Sequence, residues 1–171
     1  MHGVPVEADS SGSMVTDRLR AAVGIWRPDG VPSFPIDTSD IRRWAIASYW
    51  PETPPKLYWD EGYARSTRWG GIIAPQDFNP FAWPVDRPDT GPQVHHALPG
   101  EPGQRLLNGG AEFTFAEPMR PGDVIRARVR VRDFTEREGR FGLMLYIRLE
   151  RELLNQHVAL VRRRIDTVIR Y

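Results

Sequence analysis

From Arg105 to the C-terminus, apolar and polar residues alternate with a period of two. Ala111, Phe113 and Phe115 alternate with Glu112 and Thr114. Ile125, Ala127, Val129 and Val131 alternate with Arg126, Arg128, Arg130 and Arg132. Phe141, Leu143, Leu145, Ile147 and Leu149 do the same against Met144, Tyr146, Arg148 and Glu150. The last segment, 158–169, is less regular through Arg162, Arg163 and Arg164. Turn signals at Arg120–Asp123 (RPGD), Glu138–Arg140 and Asn155–His157 punctuate these runs. Long alternating strands joined by short turns predict an antiparallel meander with one buried face.

Upstream the period is helical. Thr16 to Gly24 predicts a short helix with Thr16 as its cap, and Ile25-Trp26 begins a strand that ends at the Pro28-Asp29-Gly30 turn. Asp37 to Asp40 caps a second helix, which places Ile41, Trp44, Ala45 and Ser48 on one face before Pro51 ends it. Asp60 caps one or two further turns to Ser66. Pro75 suits a helix start, so a short helix is expected from Pro75 to Ala82, limited by Pro80. Residues 85–104 carry no period and form a long loop; residues 1–15 are small and polar and read as a disordered tail. The organisation is therefore one domain over residues 16–171.

Composition narrows the function. The chain has 171 residues, 23 Lys and Arg against 22 Asp and Glu, and no cysteine. A net charge of +1 offers no footprint for nucleic acid. Without cysteine there is no disulfide, thiolate nucleophile or thiolate-held metal. No apolar run is long enough to span a membrane, and the first residues lack a signal-peptide pattern, so a soluble cytoplasmic protein is expected. The alternating arginines of 126–132 read as a solvated sheet face with acids pairing from the neighbouring strand. A few of them could instead meet a cofactor phosphate at the sheet edge.

Chemistry concentrates around Trp69–Pro84, WGGIIAPQDFNPFAWP. Gly70-Gly71 either lets a ligand approach the main chain or forms a tight turn before a core helix. Of the four histidines, His2 lies in the tail and His157 in a turn signal, leaving His95 and His96 in the long loop. Adjacent side chains on extended backbone diverge, and no ligand spacing accompanies them, so no metal site is expected. His95 or His96 is a candidate base, with Asp77 or Glu52 to orient it. Asp77 also fits the favourable end of a helix dipole. No Gly-x-Ser-x-Gly nucleophile motif is present.

Three pieces in order, Tyr58-Trp59-Asp60 with Ala64, GGIIAP from Gly70 to Pro75, and Asn108-Gly109-Gly110 followed by RPGD, resemble the MaoC-like hydratases and dehydratases. More narrowly they resemble the fatty-acid-synthase-type dehydratase N-terminal group, which includes mycobacterial hydroxyacyl-carrier-protein dehydratase subunits. The resemblance spans about residues 20–171. It implies an α+β hot-dog fold, in which an antiparallel sheet wraps a central helix, here Gly70 to Trp83, and protomers pair. It implies an acyl thioester (carried by CoA or an acyl carrier protein, with no other cofactor) in a tunnel at the protomer interface. Backbone N–H groups at the helix start would polarise the carbonyl. On this basis the substrate-binding candidates are Tyr58, Gly70, Gly71, Ile72, Ala74, Asn108, Gly109 and Gly110. The family's Asp and His, which activate water, have no counterpart: Tyr58 stands at the His position, and the nearest acid is Glu52. That departure implies a non-catalytic subunit whose hot-dog partner supplies the pair. A homodimeric, stand-alone hydratase using His95, His96 or Asp77 is the alternative. A non-enzymatic binder of an apolar molecule is the other, given Trp50, Trp59, Trp69, Phe78, Phe81 and Trp83.

Overall fold

The computed structural model describes residues 12–82, 85, 93–140 and 142–171. His2, Trp83, Pro84 and Phe141 lie outside the described residues, as does most of the expected tail. The chain begins with α1 (Asp17–Ala22), followed by β1 (Arg27–Pro28) and α2 (Thr38–Tyr49). A single 3-10 turn (Lys56–Tyr58) and α3 (Glu61–Ser66) come next. Four long strands complete it: β2 (Leu106–Phe115), β3 (Arg126–Gly139), β4 (Gly142–Leu154) and β5 (Leu160–Arg170).

The three predicted helices form where their caps stand. Thr16 Oγ1 accepts from Leu19 N, Asp37 from Ser39 N and Asp60 from Tyr63 N, satisfying donors that a helix start leaves unpaired. The tail is shorter than expected. The Ser13 hydroxyl and the Met14 amide both donate to Glu136 of β3, and Met14 and Val15 pack on the core.

The strands form one sheet in the order β1-β3-β4-β5-β2, with every paired neighbour antiparallel. Odd-numbered residues of β4 face inward, where Leu145, Ile147 and Leu149 join α1 residues Leu19 and Ala22 in one core. Leu153, four residues beyond Leu149, belongs to a second core with Ile41, Ile72, Phe78, Ile125 and Val161. Even-numbered Glu150 and Glu152 face outward. They are only 4% exposed because Arg128, Arg130 and Arg163 lie over them, with Trp26 stacked 4.4 and 4.5 Å from the two β3 guanidinia. The expected cross-strand pairing of the arginine ladder is thus realised: Arg128 stands opposite Glu152 and Arg130 opposite Glu150.

Two expectations fail. Residues 75–82 form turns and no helix: Phe78 N donates to Pro75 O and Ala82 N to Asn79 O. Pro80 explains it. A helix would need an N–H at position 80 for the Gln76 carbonyl, and proline has none. Gln76 O accepts from Arg162 Nη1 instead, at 3.0 Å. The central helix therefore does not come from Gly70–Trp83; the longest helix among the described residues is α2, which shares its buried core with the 72–78 segment. The alternation of Phe113 and Phe115 does not bury them either. All ten residues of β2 are exposed, because β2 is an edge strand and its Phe113 and Phe115 face cavities instead of packed side chains.

Candidate functional site

Residues 69–76 run as irregular chain between α2 and the sheet, pinned at three points. Arg120 Nη1 donates to Trp69 O at 2.8 Å, Ala74 N to Met119 O at 2.8 Å, and Arg162 holds Gln76 O. The RPGD turn supplies the first of these. Gly122 takes φ +88°, and buried Asp123 accepts from Arg120 N and from Gln156 Nε2, so the arginine is held in place. On the other side α2 presents the face predicted for it. Trp44 packs edge-on against Phe78 at 5.6 Å, and the Ser48 hydroxyl donates to Asp77 Oδ2 at 3.0 Å.

The pinned segment leaves donors over. Gly70 adopts φ +66°, a left-handed conformation that suits glycine, and its N–H closes a turn onto Thr67 O. Among the described residues, the N–H groups of Gly71 and Ile72 make no hydrogen bond. Ile72 is itself buried in the core. Next to this segment lies a cavity of about 220 Å³, walled by Tyr58, Trp69, Ile73, Ala74, Phe115 and Arg162. Burial, with the Tyr49 hydroxyl and the Asp77 charge adding to it, pushes the Tyr58 phenol up to about 12. It therefore stays protonated and able to donate. No histidine or aspartate lines this cavity among the described residues; its acid is the exposed Glu117.

The other candidates lie apart. His95 borders a separate cavity of about 170 Å³ with Asp29, Val131, Arg151 and Asp166. Burial holds its imidazole down to about 4, helped by His96 and Arg151 and opposed by Asp166, so it is neutral at pH 7. His96 is exposed and lies edge-on to His95 at 4.4 Å. Asp77 lines a third cavity and bonds to Ser48, and no hydrogen bond joins it to either histidine. Glu52 is exposed in the loop after α2. Asn108, Gly109 and Gly110 sit in β2 at a bulge opposite β5, with Gly110 at φ +105°. Roughly 20 Å of strand separates Asn108 from Phe115 at the Tyr58 cavity, so these three do not join that cavity within one chain.

Sequence reasoning missed the inward arginines. Arg151 stands between Leu149 and Leu153 on the core side of β4, directly opposite Arg164, while Arg162 faces Leu153. The signals were present: an arginine at an apolar position of β4, and the broken alternation of β5.

A single antiparallel sheet of this order, with helices packed to its concave side, is the hot-dog fold of MaoC-like dehydratases. The MaoC-like dehydratase from Rhodospirillum rubrum is 22% identical with a TM-score of 0.58, over 88% of this chain and 92% of that one. The ChsH1-ChsH2 complex from Mycobacterium tuberculosis contains a chain that is 16% identical with a TM-score of 0.62, over 90% and 92%. The HadBC (3R-hydroxyacyl-ACP dehydratase) complex from the same organism contains one at 18% identity and TM-score 0.56, over 86% and 96%. A search of curated proteins by sequence finds no match. The profile of the FAS1-like dehydratase domain region matches residues 21–164, and the chain belongs to that family of hot-dog dehydratases and hydratases.

Proposed function

We propose that this chain is the acyl-thioester-binding subunit of an enoyl-thioester hydratase or 3-hydroxyacyl-thioester dehydratase, completed by a catalytic hot-dog partner. One observation carries the reading: the segment with unpaired N–H groups at Gly71 and Ile72 borders, through Trp69, Ile73 and Ala74, a cavity that among the described residues lacks the family's Asp–His pair. Amide donors left unpaired favour a carbonyl oxygen as it gains negative charge. The Tyr58 hydroxyl, held protonated, is a further donor to the ligand. Hydration also needs a base to take a proton from water and an acid to protonate the α-carbon. In this reading both come from the partner. The partner meets this chain along β2, whose exposed Leu106, Leu107, Phe113 and Phe115 make an unprotected apolar edge. An edge-to-edge pairing also gives Asn108–Gly110 a place near the partner's site, which is how those residues would contact substrate. The substrate carrier, CoA or a carrier protein, is the only cofactor-like group required. No described helix is long and apolar enough to cross a membrane, which suits a cytoplasmic assembly.

The test is an enoyl-thioester hydration assay with crotonyl-CoA and longer enoyl-CoAs, run on the lone chain and after co-expression with a MaoC-type partner carrying Asp and His. The proposal expects turnover only with the partner. Full activity from the lone chain overturns it.

The stand-alone reading has one observation behind it: neutral His95 faces a cavity that also holds Asp29 and Asp166. It requires lone-chain hydration that disappears in His95→Ala.

A further inference from the structure

The inner face of the sheet is not apolar from end to end. Between its two cores, β4 and β5 place Arg151, Arg162 and Arg164 on the concave side. The neighbouring strand β2 sets Phe113 opposite Arg164 and Phe115 opposite Arg162. The two rings lie nearly parallel, 6° apart in plane and 6.2 Å between centres, and the Arg164 guanidinium stands 5.3 Å from the Phe113 ring. These residues bound a cavity of about 540 Å³, closed on its far side by Gln76 and Asp77.

The charges in this groove are unevenly matched. Arg164 is paired, its Nε 2.7 Å from Asp166 Oδ1. Arg151 is paired with Asp29. Arg162 has no carboxylate within salt-bridge distance among the described residues; its single bond is to the Gln76 carbonyl. The Asp77 charge acts on it, but that carboxylate already accepts from Ser48. An arginine cannot shed its proton. A partly desolvated cation beside two others is costly unless an anion joins it. Guanidinium groups match carboxylates in shape, taking two oxygens at once. The flanking phenylalanines offer flat apolar surface for whatever carries the anion.

Position identifies which part of a ligand this would be. Arg162 and Phe115 wall both the groove and the Tyr58 cavity. A group that reaches the groove from a thioester carbonyl at Gly71 and Ile72 sits within a short distance of that carbonyl. The phosphates of a carrier hang at the end of a long pantetheine arm, many bonds away. We infer that the groove binds a carboxylate on the acyl group itself, clamped by Arg162 with Arg164 and Arg151 around it and the chain laid along Phe113 and Phe115. The chain's ligand is then a dicarboxylic acid held as its mono-thioester. This inference rests on the thioester reading for the position of the carbonyl, while the arginine groove stands on its own geometry.

Titration calorimetry on the full chain tests it with adipoyl-CoA against hexanoyl-CoA, which share a six-carbon chain and differ in the terminal carboxylate. Adipoyl-CoA is expected to bind at least tenfold more tightly, and Arg162→Met to bring the ratio close to one. Arg162→Lys, which keeps the charge and guards against a folding defect, should restore part of the preference. Free adipate is the control for the thioester reading. If adipate binds in an Arg162-dependent way while neither CoA ester does, the groove stands and the thioester assignment fails. Equal affinity for the two esters, or a preference that survives Arg162→Met, overturns the inference. So does displacement of adipoyl-CoA from the groove by inorganic pyrophosphate, which would make it a phosphate site.

Discussion

Arg120 and Trp69 are 51 residues apart in sequence, yet the guanidinium of one donates to the main-chain carbonyl of the other at 2.8 Å. The bond fixes the start of the Gly70–Ala74 segment, which carries the unpaired amides of Gly71 and Ile72. Arg120→Met removes a charged donor to a half-buried carbonyl, a change worth about 1–2 kcal/mol of stability. The expected outcome is a modest drop in the urea midpoint and a larger, at least fivefold, loss of acyl-CoA affinity. Equal losses in Arg120→Met and in a surface control such as Arg65→Met would mean the segment holds its shape unaided.

Tyr58 contributes a donor by virtue of its burial, which pushes its phenol up to about 12. Tyr58→Phe keeps the ring in the cavity and deletes only the hydroxyl. Loss of one neutral hydrogen bond corresponds to about 0.5–1.5 kcal/mol, or a few-fold in affinity. Binding measured from pH 6 to 10 should be flat in the wild-type protein, since the phenol does not ionise in that window. A loss of affinity centred near pH 9 would contradict the protonated state.

Glu152 links three strands, because Arg128 of β3 and Arg163 of β5 both bond to it. Burial by itself would raise its carboxyl, but the two guanidinia outweigh that and hold it below its ordinary 4.5. A carboxyl lowered by folding stabilises the native state above its unfolded pKa, and the contribution is lost as pH falls through the native value. Stability from this group should therefore be constant from pH 7 to about 5 and decline below 4.5. Glu152→Gln should cost about 1–3 kcal/mol at pH 7 and flatten the acid limb. Urea titrations of both proteins between pH 3 and 7 measure the difference.

These three sites show what a linear pattern can and cannot convey. Strand alternation, the caps at Thr16, Asp37 and Asp60, and the inward face of α2 are local properties, and each was legible. Glu152 was legible as a partner for the arginine ladder, since opposite charges face each other across antiparallel strands. The helix at 75–82 was not denied by any neighbouring pattern. Its failure depends on Pro80 meeting a carbonyl that Arg162, more than eighty residues away, can take instead. The groove arginines were hidden for a related reason. Arg151 falls at an apolar position of β4, but the broken alternation of β5 leaves the side of Arg162 and Arg164 open until its register with β4 places them on the concave side. The Tyr58, Gly71 and Ala74 neighbourhood was marked by family motifs. Its neighbours Phe115, Arg120 and Arg162 come from parts of the chain that no local motif connects.

Gly109 offers a test of the β2 bulge. A Cβ there would stand 2.8 Å from Thr167 Cγ2 and 3.1 Å from Ile169 Cδ1 on β5. Gly109→Ala should therefore strain the β2–β5 pairing by about 1–3 kcal/mol. Thr167→Ser removes the nearer methyl, so the double variant should recover part of the loss. A double-mutant cycle in urea reads the coupling directly. Additive effects would mean that the strand shifts to accommodate the methyl.

The exposed edge of β2 carries the assembly claim. Leu107 is 37% exposed on an edge strand that has no outer neighbour among the described residues. Such edges invite pairing, and an edge lysine discourages it by placing a charge where a partner strand must lie. The 19.6-kDa chain should run above its own mass, alone as a homodimer or with its catalytic partner. Leu107→Lys should return it to the monomer mass in light scattering and, with it, abolish hydration by the assembled complex. Val158→Lys, in the β4–β5 turn and 74% exposed, adds the same charge away from the edge and should change neither reading. If Leu107→Lys remains fully assembled and active, the partner does not meet this chain along β2, and the shared tunnel must be built from another face.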